Sequence, residues 1–182
     1  MAVLVLLSPG YEDIEAMAVI DILRRAELDV LVAGLHSLDI KSTNNVVCRA
    51  DCTIEDVKGR VFDCLVIPGG EPGVSNLEKE PLIRELIQRH AQAEKWIAAI
   101  CAAPRILHAC GLLKGKQVAV HPSNEVFIKE ATILKDPVVQ DGKLITSRGP
   151  GTAMAFAYKI LEALSLEDTA SQLKEGMVFT AG

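Results

Sequence analysis

Short apolar runs alternate with amphipathic stretches along this 182-residue chain. Ala2–Leu7, Leu28–Leu35, Phe62–Ile67, Trp96–Ile100 and Gln117–Val120 are apolar almost throughout. A strand with no polar face must be covered on both sides, which is the condition of a parallel sheet between two helical layers. The intervening stretches Ile14–Ala26 and Pro81–Ala93 have helical spacing. It places Ile14, Met17, Ala18, Ile22 and Leu23 of the first, and Leu82, Leu86 and Ile87 of the second, toward a core. Thr152–Leu164 and Leu166–Lys174 read as two further helices. Asp39–Cys52 is polar and β-like, as in a short edge hairpin. Val138–Gln140 and Leu144–Thr146 flank Asp141-Gly142, a hairpin turn signal. The pattern predicts an α/β fold, a flavodoxin-like three-layer α/β/α sandwich with a mostly parallel sheet.

The length suits one domain over residues 1–182, and a hydrophobic content of 49% supplies a core. A net charge of −5 argues against nucleic acid or an anionic membrane as partner. No apolar run approaches the ~20 residues needed to cross a bilayer. Met1–Leu7 has no basic region or cleavage site and runs straight into a strand, so it is not read as a signal peptide. A cytoplasmic location is expected. Five cysteines, an odd number, form no disulfide framework. Cys48 and Cys52 lack the second ligand pair that a zinc site needs, and no metal site is expected. Cys52, Cys64 and Cys110 read as small buried hydrophobes.

Cys101 is different. The strand Trp96–Ile100 breaks there into Ala102-Ala103-Pro104, and a helix follows from Pro104 to a stop at Gly111. A sharp strand-to-helix turn exposes its apex and crowds the residues two before and two after it. Here both are alanines, Ala99 and Ala103. This is the logic of a nucleophile elbow, with Cys in place of Ser and Ala in place of Gly. The helix N-terminus behind the sulfur should lower the thiol pKa below about 8.5.

In a sheet of this kind, sites form beyond the carboxyl ends of the strands. Ser8–Glu15, Pro68–Asn76 and Cys101–Pro104 lie there. Glu12 and Asp13 read as first-turn acids that complement a helix dipole. Glu15 is flanked by Ile14, Ala16 and Met17, and is either another such acid or a buried carboxyl. Buried beside a thiolate, it would stay protonated and could hydrogen-bond sulfur or shuttle a proton. Gly69 and Gly70 would let backbone N–H groups approach a ligand as an oxyanion hole, or would simply make a tight turn. The segment matches neither a dinucleotide fingerprint nor a phosphate loop. His121, after Val118-Ala119-Val120, is placed for acid/base work. His36, His90 and His108 read as surface or packing residues. Thr146–Thr152 is a strand-to-helix loop at the border of a pocket.

Together these segments resemble the ThiJ/PfpI superfamily, in the branch of the parkinsonism-associated deglycase and its bacterial relatives. The matching stretches are Pro9–Glu15, Asp21–Ala26, Val32–Leu35, Ile67–Gly70, Ile97–Pro104, His121-Pro122 and Ile145–Thr152. The resemblance implies a homodimer. It carries the family's nucleophile to Cys101, its protonated glutamate to Glu15, its histidine to His121, and its oxyanion-hole backbone to Gly70 and Ala102. It also implies cofactor-free chemistry: conversion of methylglyoxal to lactate, repair of early glycation adducts, or oxidant sensing through a cysteine sulfinate. Two positions depart from the pattern. Glu27 stands where the family often has Gly, and Asn44 where the hairpin of the parkinsonism-associated branch has Arg.

The leading expectation is a glyoxalase or deglycase acting on a small aldehyde or glycated substrate, with Glu15 or His121 as the base. The alternative is a redox sensor or chaperone-like protein whose Cys101 oxidises without turnover. A peptidase is disfavoured because Ala102, not His, follows the nucleophile. A glutamine amidotransferase is disfavoured because Ser123, not Glu, lies two residues after His121.

Overall fold

The computed structural model describes residues 1–180. In chain order the elements are β1 (Ala2–Leu7), α1 (Asp13–Arg25), β2 (Asp29–Gly34), β3 (Asp39–Lys41), β4 (Val47–Arg49), β5 (Cys52–Thr53), β6 (Cys64–Ile67), α2 (Gly73–Lys79), α3 (Pro81–Gln92), β7 (Trp96–Ile100), α4 (Pro104–Ala109), β8 (Gln117–Val118), β9 (Thr132–Ile133), β10 (Val138–Asp141), β11 (Leu144–Ser147), α5 (Ala153–Ala163) and α6 (Glu167–Gly176). The central sheet has seven strands in the order β10-β11-β7-β6-β1-β2-β5. Every pairing in it is parallel except β10 with β11. The Asp141-Gly142 turn therefore delivers the one antiparallel edge strand.

Alternation along the strands builds the two cores. In β1, Val3, Val5 and Leu7 join α1, α5 and α6 residues on one face. Leu4 and Leu6 join α2, α3 and α4 residues on the other. All five are at most 1% exposed. At about 1.5–3 kcal/mol of transfer free energy per buried aliphatic side chain, this double coverage explains why the apolar runs lack a polar face.

Three expectations need correction. Ile14 and Met17 are exposed, at 56% and 37%, and α1 packs instead through Ala16, Val19, Ile20, Ile22 and Leu23. Gln117–Val120 shortens to β8, which pairs in parallel with β9 outside the main sheet. Cys52 and Cys110 are only partly buried; Cys64 alone of that trio is enclosed. The Asp39–Cys52 stretch does form a hairpin, β3–β4, and its last residue begins the edge strand β5. Glu27 adopts a left-handed conformation, φ 58°, directly after α1. Glycine takes that conformation without the penalty a Cβ imposes, so the departure at this position is a costlier helix end.

The chain starts in the middle of the sheet at β1, runs outward through β2 to β5, returns beside β1 as β6, and runs out the other way. β1 and β6 are thus adjacent strands whose connections leave in opposite directions. The crevice beyond their carboxyl ends is the switch point of the fold.

Candidate active site

Glu15 and Gly69 face each other across that crevice. Glu12 caps α1, its carboxylate accepting from the Glu15 N–H at 2.8 Å. The cap sets Glu15 in the first turn with its side chain pointing inward, fully buried. Its Oε2 accepts from the Gly69 N–H at 2.7 Å. The Glu12 N–H in turn donates to the Gly69 carbonyl at 2.9 Å, stapling the loops after β1 and β6 together. Gly69 admits no side chain, because a Cβ would lie 2.6 Å from both the Cys101 Cβ and Glu15 Oε2. Gly70, at φ +97°, turns back against Glu12, where a Cβ would meet the backbone nitrogen at 2.4 Å.

Cys101 occupies the apex between β7 and α4 with φ 66°. An L-residue in that region costs roughly 1–2 kcal/mol, and the surroundings hold it there. Its N–H donates to the Ser147 carbonyl and its carbonyl accepts from the His121 N–H, each at 3.0 Å. Ala99 and Ala103 are fully buried on either side, as the elbow requires. The backbone N–H groups of Ala102 and Gly70 are directed at the sulfur.

Glu15 and Cys101 perturb each other's protons. Burial raises the Glu15 pKa from 4.5 to about 7, against hydrogen bonds from Cys101 and Gly69 that lower it. The Cys101 thiol is pushed up, first by burial and then by the negative charge of Glu15, against the pull of the Ala102 and Gly70 N–H groups. The expected lowering by the helix N-terminus is overridden, since α4 is one short helix and the carboxylate is in contact. The two groups share a dry site that tolerates one negative charge far better than two. When the carboxyl holds the proton, repulsion is replaced by a hydrogen-bond donor to sulfur. Glu15 Oε1 is buried without a hydrogen-bond partner, which leaves it free to carry that proton.

His121 lies three residues beyond β8 and caps the 3-10 segment Pro122–Phe127. It borders a hollow of about 350 Å³ with Arg148 and the Gly149–Thr152 loop. The predicted border role of that loop thus has a place in the structure. Gly69 donates its N–H to Glu15, which leaves Gly70 and Ala102 as the donors that face sulfur. Asn44, at the departing hairpin position, donates to Asp13 at 3.0 Å within its own chain. His36 and His108 stand apart from the site. His90 is fully buried and packs α3 against the segment before β6.

Arg105 is the residue that sequence reasoning passed over. It is nearly buried, its side chain 15% exposed. It donates to Glu78 and Ser75 at 3.0 and 3.1 Å and to Asn124 at 3.4 Å, forms an ion pair with Glu71 at 3.1 Å, and lies over the Phe127 ring at 5.4 Å. It thereby joins the elbow helix to the glycine turn and to the His121 segment. The available signal was a charged residue at the second position of the elbow helix, with two acids seven apart in the facing loop and helix.

The model of the DJ-1/PfpI family matches residues 1–163. The chain belongs to the DJ-1/PfpI family. It is 39% identical over 175 residues to the glutathione-independent glyoxalase DJR-1.2 of Caenorhabditis elegans, covering 94% of this chain and 93% of that one. The crystal structure of Drosophila melanogaster DJ-1beta superposes with a TM-score of 0.95 at 36% identity, over 99% of this chain and 98% of the other. Oxidized DJ-1 of Toxoplasma gondii superposes with a TM-score of 0.94 at 32% identity, over 99% of both chains. These likenesses establish for this DJ-1/PfpI chain the flavodoxin-like sandwich anticipated from its periodicity. No helix among the described residues is long and apolar enough to cross a membrane.

Proposed function

We propose that this protein is a cofactor-free, cysteine-dependent glyoxalase or deglycase that acts on methylglyoxal or early glycation adducts under carbonyl and oxidative stress in the cytoplasm. The observation that carries the reading is the buried Glu15 carboxyl in contact with Cys101, with two backbone N–H groups directed at the sulfur. The similarity to a protein named a glyoxalase supports it.

Cys101 as thiolate attacks the aldehyde carbon, forming a C–S bond and an alkoxide that takes the proton of Glu15. The N–H groups of Gly70 and Ala102 are the donors nearest that oxyanion. Gly69 contributes by fixing the carboxyl. The freed carboxylate then moves a proton from the hemithioacetal carbon to the neighbouring carbonyl carbon, through an enediol. One carbon is oxidised and the other reduced, so no external oxidant is needed. Water hydrolyses the resulting thioester to lactate and returns the thiol. The backbone of His121 adjoins the elbow, its N–H donating to the Cys101 carbonyl at 3.0 Å, which supports a part for this residue in the reaction.

A homodimer fits the exposed apolar surface. Ile14 and Met17 on α1 and Val46 and Val47 on the β3–β4 hairpin are 37–59% exposed. They belong to one region, since the hairpin tip is tied to the start of α1 by Thr43 N–H to the Tyr11 carbonyl at 2.9 Å and by Asn44 to Asp13. Exposed apolar side chains grouped in one region support the reading of this face as an interface.

A second reading is a redox sensor. The same N–H groups that face sulfur would hold the oxygens of a Cys101 sulfinate. The DJ-1 of Toxoplasma gondii has been captured in an oxidized form. Steady-state lactate formation from methylglyoxal, with wild type and Cys101→Ser, separates the two. Turnover by wild type that falls to background in the serine variant supports the enzyme. Turnover that survives the substitution moves the chemistry to another residue. No turnover, with peroxide converting Cys101 to sulfinate ahead of the other four thiols, leaves the sensor.

A further inference from the structure

A neutral imidazole has one donor nitrogen and one acceptor nitrogen. In His121 the assignment decides whether the free nitrogen can accept a proton from substrate or only donate a hydrogen bond. Nδ1 lies 3.3 Å from the Ser123 backbone nitrogen and 2.8 Å from the Ser123 Oγ. The main-chain N–H can only donate, so Nδ1 is an acceptor. The hydroxyl is oriented the same way from its far side. The Arg105 guanidinium, which also can only donate, gives a hydrogen bond to Asn124 Oδ1 at 3.4 Å. That fixes the amide so that its Nδ2 donates to Ser123 Oγ at 3.1 Å. With its oxygen accepting from Asn124, the hydroxyl directs its own proton to Nδ1. Groups without acceptor capacity stand at both ends of the chain, and only one arrangement of hydrogens satisfies every link.

The relay is anchored at its Asn124–Arg105 end, while Ser123 itself stands at the surface. Asn124 is 8% exposed. Arg105 is held by Glu71, Glu78 and Ser75 and by the Phe127 face. The hydrogen of neutral His121 therefore sits on Nε2, on the side of the ring that the network leaves free. The adjacent carbon Cδ2 packs by Gly149, at the hollow beside Arg148.

We infer that Arg105, Asn124 and Ser123 are positioning residues that lock His121 as a neutral Nε2–H donor. In the proposed reaction His121 then donates a hydrogen bond to a substrate oxygen, and the proton passed between the two substrate carbons travels through Glu15 alone. This rests on the glyoxalase reading above. No bond to hydrogen breaks at His121. The carbon-bound proton goes to the Glu15 carboxylate, the electron pair it leaves forms the enediol, and the oxygen that gains negative charge receives the Nε2–H. A fixed neutral donor aimed at developing charge is an established way to stabilise an enediol.

Two measurements test the inference. Labelling the imidazole nitrogens with 15N, with His121→Gln to assign the signal, reads the tautomer without any substrate. Wild type is expected to carry the hydrogen on Nε2. Asn124→Asp removes the amide donor and draws the Ser123 hydroxyl proton to itself, so the population should move toward Nδ1–H. A wild-type ring with its hydrogen on Nδ1, or a population indifferent to Asn124→Asp, overturns the lock. The second measurement compares kcat and KM of His121→Gln and His121→Leu. The glutamine amide keeps an N–H donor near the Nε2 position but cannot act as a base. His121→Leu should lose roughly 100-fold in kcat, and His121→Gln should stay within about tenfold of wild type. Equal loss in both overturns the donor role. If wild type forms no lactate at all, the glyoxalase reading fails by itself, and the labelling result still judges the lock.

Discussion

Glu15 and Cys101 divide one charge between them, and the consequence reaches beyond catalysis. The folded protein raises the Glu15 pKa to about 7, while an unfolded chain releases that proton near the ordinary value of 4.5. Between those values the folded state binds the extra proton, so stability from this group is full below 4.5 and is lost as pH rises through 7. The difference amounts to on the order of 3 kcal/mol. Glu15→Gln cannot ionise and can still accept the Gly69 N–H. Thermal unfolding at pH 4 and pH 8 should show the two proteins similar at the lower pH, with the variant several degrees more stable at the higher. A glutamine variant that is less stable at pH 8 would show that the buried carboxylate is better solvated than the geometry indicates. The same variant should lose turnover by 100-fold or more, because an amide cannot accept and return a proton. Stability gained and activity lost at one residue would mark the strain as functional.

Among the elements, α1 and α3 show how far periodicity reaches. Both are helices where apolar spacing predicts them. Leu86 and Ile87 of α3 face inward as expected, joined by Ile83, while Leu82 is only partly buried. In α1 the spacing that includes Ile14 and Met17 selects a face rotated away from the true one. The buried face includes Glu15 beside Ala16, and a hydrophobicity pattern counts that glutamate as polar. His90, at the end of α3, is fully buried and neutral. Its Nδ1–H donates to the Leu86 carbonyl at 2.7 Å, and its Nε2 accepts from the Phe62 N–H at 3.0 Å. Burial lowers its pKa below 6.5. The unfolded chain therefore binds more protons as pH falls below 6.5, and stability from this group falls with it. His90→Phe should flatten that acid-side slope and leave the Phe62 N–H unpaired, at a cost of about 1–3 kcal/mol at neutral pH. Urea titrations at pH 5.5 and 7.5 check both parts; a slope that survives the substitution belongs to another group.

For the whole molecule, the exposed patch of Ile14, Met17, Val46 and Val47 lies next to the candidate site, since Ile14 precedes Glu15 in the first turn of α1. Met17→Arg combined with Val47→Asp should convert a dimer to a monomer at micromolar concentration. The fold should survive, because neither side chain is in the core. Light scattering with circular dichroism reads both outcomes, and a wild-type monomer mass would remove the proposal.

The sequence by itself determined the layers and the order of the elements. Apolar runs without a polar face demand cover on both sides, and this requirement is local enough to read from composition along the chain. The elbow at Cys101 was legible for the same reason, because small residues at fixed offsets are a steric condition of a sharp turn. The proton balance of the site was decided only by the tertiary structure. Ahead of the fold, the helix N-terminus behind Cys101 was the visible influence on its thiol. The stronger one, the Glu15 carboxyl, comes from 86 residues away in sequence and meets the sulfur only because β7, β6 and β1 are successive neighbours in the sheet, so that the segments after β1 and β7 share one crevice. The tautomer of His121 belongs to the same class. It depends on Arg105 and Asn124, whose contact across two separate segments has no trace in local pattern. Sterics and burial act over a few residues of chain, whereas electrostatics in a dry site act through space, and only the folded chain sets those distances.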